Sequence, residues 1–245
     1  MNRQEKFITK INLNKNVDKR EYPFNIQVLK DFEELIIKSP VTFFVGENGS
    51  GKSTLIEAIA LACGLNPEGG SQNFNFKTND SHSELYKELV ISKTGKRPLT
   101  KYFLRAESFY NVASEVDNLG FSPQELKKIY GGSLHKCSHG ESFIALVENR
   151  FIKNGLYILD EPESALSPQK QMRLLVLINR LVKEGSQFII ATHSPILLAY
   201  PEATIHDFDN DMNEVAYKNS EHYKLYEIFL NNSEMMLDKL LKEED

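Results

Sequence analysis

The sequence predicts an α/β fold: a largely parallel central sheet with helices on its faces. Two observations carry this. Short runs that are apolar from end to end, residues 41–45, 156–159 and 188–191, read as strands buried on both faces. Stretches with helical periodicity, residues 54–63 and 169–183, stand between them. Strands that alternate with helices in this way give a parallel sheet.

The elements follow in order. Residues 7–13 alternate and form a first strand. Val41-Thr42-Phe43-Phe44-Val45 is a buried strand that runs into Gly46. The helix at 54–63 carries Leu55, Ile56, Ile59 and Ala62 near one face; Gly64 stops it and Pro67 lies just beyond. Residues 66–83 are polar and glycine-rich, a surface loop. Tyr102-Phe103-Leu104 is a further strand, and residues 108–136 are mostly helical, with Ser122-Pro123 as a helix start and Gly131-Gly132 as a close. Residues 143–151 are helical, and the strand at 156–159 ends on Asp160. In the helix at 169–183, Met172, Leu175, Val176, Ile178 and Leu181 are expected to face the core. After the strand at 188–191, residues 196–199 begin an element limited by Pro201, and 204–208 pairs with 215–217 as a hairpin. Leu225, Ile228, Phe229, Met236, Leu237, Leu240 and Leu241 predict a helical C-terminal stretch. No internal repeat, low-complexity tract or heptad run is visible.

Composition narrows the function classes. The chain has 245 residues, 41% of them hydrophobic, which supplies one sizeable core. A net charge of −5 argues against a dedicated nucleic-acid binder. Lys6, Lys10, Lys15, Lys19 and Arg20 are the best candidate basic patch, although a solvated edge of the first strands explains them better. Two isolated cysteines, Cys63 in an apolar helical run and Cys137, fit a reducing compartment. There is no secretory h-region and no run of about 18 apolar residues, so a soluble, cytoplasmic protein without membrane insertion is expected.

The chemistry concentrates in two places. Gly46-Glu47-Asn48-Gly49-Ser50-Gly51-Lys52-Ser53 matches G-x-x-x-x-G-K-[ST] at every fixed position, after a hydrophobic strand and before an amphipathic helix. Backbone N–H groups that all point inward can cradle a polyphosphate, and glycine permits that winding. The helix that starts near Lys52 aims its positive end at the phosphates. Lys52 reaches the terminal phosphates, Ser53 offers its hydroxyl to Mg²⁺, and Thr54 completes the loop. The second place is Asp160-Glu161-Pro162, where a buried strand delivers two acids to its C-terminal end. There Asp160 would hold Mg²⁺, and Glu161 would polarise the attacking water as general base.

Asp160-Glu161-Pro162 together with Ala165-Leu166-Ser167 resembles the Walker B and D-loop of the ATP-binding-cassette ATPases, including their SMC and RecF-like branches. The resemblance implies a P-loop NTPase of that type: a single domain over 1–245, with a core lobe at about 1–104 and 143–245 and a small inserted helical lobe at about 105–142. It also implies that His193, in Ala191-Thr192-His193-Ser194-Pro195, contacts the γ-phosphate. Cys137-Ser138-His139-Gly140-Glu141 is similar to the family's signature loop, with Cys137 for leucine and His139 for the first glycine. In relatives this loop binds the ATP held by the opposite subunit, so Ser138, His139, Gly140 and Glu141 are expected to act in trans, in a head-to-tail homodimer. The Q-loop glutamine is absent; Glu107 or Ser108 stands in its place. Tyr22, with Phe24 as rival, occupies the position of the aromatic that stacks on adenine.

Other patterns fail on spacing. His135, Cys137 and His139 lack a second ligand pair for zinc. The run Asp207–Asn213 opens like a calcium loop but puts Met212 at its glycine position and Lys218 at its glutamate position, so a polar turn between strands is expected. The combined reading is an ATP- and Mg²⁺-dependent dimerising ATPase that moves an unidentified protein effector. Two contexts compete: a DNA-linked or phage-defence ATPase, favoured by the Ser-x-Gly-Glu signature and the short chain, and the ATPase subunit of a transporter. A non-hydrolysing ATP sensor is disfavoured because Asp160 and Glu161 are both present.

Overall fold

Runs that are apolar throughout need cover on both faces, and the chain supplies it. The computed structural model describes residues 6–67, 69–71, 83–109, 122–130 and 138–242. In chain order the elements are β1 (Ile8–Leu13), α1 (Gln27–Lys30), β2 (Glu34–Ile36), β3 (Val41–Val45), α2 (Lys52–Ala62), β4 (Gly70–Ser71), α3 (Leu85–Glu88), β5 (Leu89–Lys93), β6 (Thr100–Arg105), α4 (Pro123–Tyr130), α5 (His139–Arg150), β7 (Gly155–Asp160), α6 (Pro168–Lys183), β8 (Gln187–Ala191), α7 (Pro195–Leu198), β9 (Thr204–Asp207), β10 (Asn213–Glu214), α8 (Glu221–Asn231) and α9 (Ser233–Leu240). The central sheet runs β10-β9-β3-β8-β7-β6-β4. Strands β9, β3, β8, β7 and β6 are parallel, and antiparallel β10 and β4 close its edges. A smaller antiparallel sheet, β2-β1-β5, lies over one face. The mostly parallel α/β architecture is the one expected.

The period of two along each strand splits the core. Phe43, Tyr102, Leu104, Tyr157, Leu159, Phe188 and Ile190 point to one side, under Phe143 and Leu146 of α5 and Leu174, Leu177 and Ile178 of α6. Phe44, Phe103, Ile158, Ile189 and Ala191 point to the other, under Leu55, Ile56 and Ile59 of α2 and Ile8 and Ile11 of β1. The expected buried face of α6 needs correction. Met172 and Val176 are 51% and 68% exposed, while Leu174, Leu177, Ile178, Leu181 and Val182 are buried. A single helix cannot bury 172, 174, 176 and 177 together, because its apolar stripe covers little more than 100°.

Several elements carried too little periodicity to be read. Strands β2 and β5 are short and half exposed, and α1 and α3 are single turns. The hairpin near residue 205 exists, but its second strand is Asn213–Glu214, and Tyr217 lies in a 3₁₀ turn. The loop expected at 66–83, and the helical reading of 108–136 apart from α4, fall largely outside the described residues. Helices α8 and α9 form as expected, with no residue buried in either. No helix among the described residues is long and apolar enough to cross a membrane.

One side chain ties the two sheets together. Gln187 is fully buried; its Oε1 accepts the N–H groups of Phe7 at 2.8 Å and Ile8 at 2.9 Å, and its Nε2 donates to the Ile8 carbonyl at 2.9 Å. Gln187→Leu keeps the volume and strands three buried backbone groups. It is expected to cost about 3 kcal/mol of stability, read from urea denaturation.

Candidate functional site

Strand register gathers the predicted chemistry at one edge. Phe44 pairs with Ala191, Ala191 with Asp160, and Asp160 with Arg105. The segments leaving β3, β8 and β7 therefore emerge side by side at the carboxyl end of the sheet, where ligands of parallel sheets bind.

Residues 46–51 turn from β3 into α2, with Glu47, Asn48 and Gly49 exposed at the crown and Ser50 half-buried. Gly51 has φ +101°, and a Cβ there would lie 3.1 Å from Ile26 and 3.2 Å from Val28, so both its conformation and its neighbours demand glycine. Lys52 is buried, and its Nζ donates to the carbonyls of Gly46 at 2.8 Å and Glu47 at 2.7 Å. Burial pulls its pKa down, against the charges of Glu161, Asp209 and Asp160. Ser53 Oγ donates to Asp160 Oδ1 at 3.2 Å, and Thr54 follows half-buried in the first turn of α2.

Burial pushes the Asp160 carboxyl up to about 6, although the Arg105 guanidinium opposes it. Arg105 Nε stands 3.4 Å from Asp160 Oδ2, and its Nη1 is 2.6 Å from Glu57 Oε2 on α2. Glu161 follows in the left-handed region, φ 48° and ψ 51°, a strained conformation for a residue with a side chain. Its N–H donates to the Ala191 carbonyl at 2.9 Å and locks the turn onto β8. Glu161 Oε1 lies 3.4 Å from His193 Nε2, and among the described residues that buried Nε2 makes no hydrogen bond. Burial first, then the charge of Lys52, lowers the His193 pKa, so the ring is neutral at pH 7.

An aimed, unpartnered imidazole nitrogen beside a buried lysine and a helix N-terminus fits a bound phosphate oxygen. A serine hydroxyl against a buried carboxylate whose charge is poorly compensated fits a hard divalent cation. Ser53 and Asp160 are thus the residues that could hold Mg²⁺.

The signature residues sit on a separate element. Ser138 caps α5, and Glu141 folds back to accept from its N–H at 2.9 Å and its Oγ at 2.7 Å. These bonds, Ser138's Oγ first, hold the Glu141 carboxyl below its usual range. Lys170 Nζ also donates to Ser138 Oγ at 3.3 Å. Gly140 is buried, and a Cβ there would lie 2.6 Å from the Ala165 carbonyl oxygen, so this helix start packs directly on the turn that follows Glu161. Helix α5 begins at His139, four residues earlier than periodicity placed it, and the exposed His139 ring packs edge-on against Phe109 at 5.3 Å. Cys137 and His135 lie outside the described residues.

Of the two aromatic candidates, Phe24 is core and Tyr22 is 67% exposed. Tyr22 leads into the Ile26–Val28 segment that touches Gly51. Glu107 turns outward, its side chain 84% exposed and 3.7 Å from Arg105; Arg105 itself occupies the inner position at the end of β6.

Four residues that sequence reasoning missed join this edge. Arg105 bridges Asp160 and Glu57. Glu163 Oε1 accepts the His193 N–H at 2.5 Å. Asp209, in the run weighed as a calcium loop, accepts the Glu47 N–H at 2.7 Å. His222, at the start of α8, places its Nε2 3.0 Å from His193 Nδ1. Only the acidic run around Asp209 gave any signal in sequence.

Residues 23–129 match the family model described as "AAA domain", and residues 142–199 match "AAA domain, putative AbiEii toxin, Type IV TA system". A "Putative ABC transporter ATP-binding protein" of Bacillus cereus is 30% identical over 178 residues, 68% of this chain and 32% of the relative. The chain thus spans about a third of the length of the first curated relatives it matches. The cobalt import ATP-binding protein CbiO of Salmonella typhimurium is 27% identical over 185 residues, 69% of this chain and 67% of the relative. Among solved structures, cbiO1 from Clostridium perfringens covers 94% of this chain and 98% of its own at 19% identity, with a TM-score of 0.45. The two matched models fall on the segments that carry the P-loop and the Asp160–His193 edge, and the relatives matched in sequence are ATP-binding-cassette proteins; the chain belongs to the P-loop ATPases of the ATP-binding-cassette type.

Proposed function

We propose that the chain is an ATP-hydrolysing switch that closes as a head-to-tail homodimer around two Mg-ATP and passes the motion to a partner. The observation that carries the phosphate assignment is the buried, unpartnered Nε2 of His193, aimed at the edge where Lys52, Asp160 and Glu161 meet. Lys52, the N–H groups of 46–54 and the start of α2 bind the phosphates. Ser53 and Asp160 would hold Mg²⁺, which would neutralise charge on the phosphates. Glu161 orients and deprotonates the attacking water. The adenine stacks on Tyr22, and Glu107 stands nearest the Q-loop position. Ser138 and Gly140 of the second copy complete each site, which requires Ser138 to redirect a hydroxyl now held by Glu141. Within each protomer the helical lobe spans about 105–142 and the core lobe the remainder.

The partner has two readings. The curated relatives are named as transporter ATP-binding proteins, which supports a membrane permease as partner and weighs against the preference drawn from chain length and signature. The toxin-system description matched at 142–199 is what supports a defence effector, with or without DNA. Co-purification separates them: a permease sinks the effector reading, and a nuclease or DNA sinks the transporter reading. Either way the ATPase itself works in the cytoplasm.

The composite site is tested by mixing two inactive chains. Lys52→Ala removes the P-loop cation, and Ser138→Arg blocks the signature. Each alone is expected to lose nearly all ATP turnover. An equal mixture forms heterodimers with one intact composite site and recovers about a quarter of wild-type turnover. A mixture no more active than its parts places the whole site within one chain and overturns the dimer.

A further inference from the structure

The geometry points to His222 as a positioning residue that fixes the tautomer of His193, so that His193 presents an N–H to the γ-phosphate. This rests on the ATPase reading of the site. His193 is neutral at pH 7, so one ring nitrogen donates and the other accepts. Its Nε2 faces the Glu161 carboxylate at 3.4 Å and the place assigned to the phosphate. Both are acceptors, so only a protonated Nε2 avoids repulsion there. Nδ1 must then be bare, and at 3.0 Å it needs a donor; His222 Nε2 is the atom in place. His222 must itself be the Nε2–H tautomer. The arrangement uses the proton on one ring to dictate the proton on the other.

His222 is held for this task. Ser220, fully buried, caps α8: its Oγ accepts the Tyr223 N–H at 3.3 Å and donates to the Tyr217 carbonyl at 2.7 Å. The Tyr217 hydroxyl in turn donates to the Pro195 carbonyl at 3.0 Å, two residues beyond His193. The first turn of α8 is thus fastened to the segment that carries His193, while the rest of the helix buries nothing. On the other side, the Glu163 carboxylate holds the His193 backbone N–H. Position and tautomer of His193 are set by different residues, Glu163 and His222. Partners that fix the tautomer of a functional histidine are worth about ten- to a hundredfold where that has been measured, at metal-bound histidines.

The test pairs His222→Leu, which removes the donor and keeps the bulk, with His222→Gln, whose amide N–H can replace it. Steady-state ATP turnover and ¹⁵N imidazole spectra of the full chain are both recorded. His222→Leu is expected to lower kcat about tenfold or more with KM for Mg-ATP little changed. His222→Gln recovers most of kcat, and the His193 spectrum reports Nε2–H in the wild type and a tautomer mixture in His222→Leu. Equal losses in Leu and Gln, or a His193 spectrum unchanged in His222→Leu, overturn the assignment. A wild type that hydrolyses no ATP sinks the ATPase reading instead, and the spectra still decide the role of His222 by themselves.

Discussion

Glu161→Gln is expected to bind ATP within a few-fold of wild type, lose turnover by about two to four orders of magnitude, and accumulate as a dimer with Mg-ATP. The substitution keeps the shape and the backbone N–H bond to Ala191, so the turn after β7 survives. The left-handed backbone is no harder for glutamine than for glutamate. Two properties change. The amide cannot take a proton from water, which removes the base. The negative charge beside the phosphates also vanishes, so the bound state is, if anything, favoured. In the proposed dimer an intact γ-phosphate would keep its contacts to both protomers, and the closed state would outlive the measurement. Light scattering with Mg-ATP should give twice the monomer mass for Glu161→Gln. A strictly monomeric, fully active Glu161→Gln chain refutes the role of Glu161 and the switch together.

How much of this site was legible in the sequence depends on how local the chemistry is. The P-loop was readable because consecutive residues make one cradle, flanked by a strand and a helix whose periods differ. Asp160 and Glu161 were readable because they follow directly on a strand apolar on both faces, at the carboxyl end where ligands of parallel sheets bind, in a chain that already carries a P-loop. His193 was placed by resemblance. Arg105, Glu163, Asp209 and His222 carry no comparable signal. Arg105 matters because β6 and β7 pair in a register that sets it beside Asp160. Asp209 reaches Glu47 across 162 positions of sequence. The misplaced face of α6 has the opposite cause: Met172 and Val176 are apolar and locally periodic, yet their stripe faces outward, and a wheel drawn on one helix cannot tell two adjoining stripes apart. The same limit applies to α8 and α9, where apolar spacing predicted helices correctly and said nothing of what covers them.

Asp160→Asn is expected to abolish Mg²⁺-dependent turnover while stabilising the chain in the absence of nucleotide. Burial raises the Asp160 carboxyl from its ordinary 3.8 to about 6. Between those values the folded chain holds a proton that the unfolded chain has released. Stability therefore falls as pH rises through this window, and above pH 6 the full cost of the buried carboxylate is present, about 3 kcal/mol. Asparagine is neutral at every pH. Its Oδ1 can still accept from Ser53, and Arg105 keeps Glu57 at 2.6 Å, so the ion pair is not wholly lost. At pH 8 the variant should be more stable than wild type by about 1–3 kcal/mol, and near pH 4 the two should converge. Urea denaturation at both values reads the difference; a variant less stable at pH 8, or a gap that does not shrink toward pH 4, defeats the argument. The charge that destabilises the fold is the one a divalent cation would need. Burial outweighs the Ser53 hydroxyl at 3.2 Å and the Arg105 guanidinium at 3.4 Å, and on the proposed ATPase reading what the carboxylate costs the fold would become affinity for Mg²⁺.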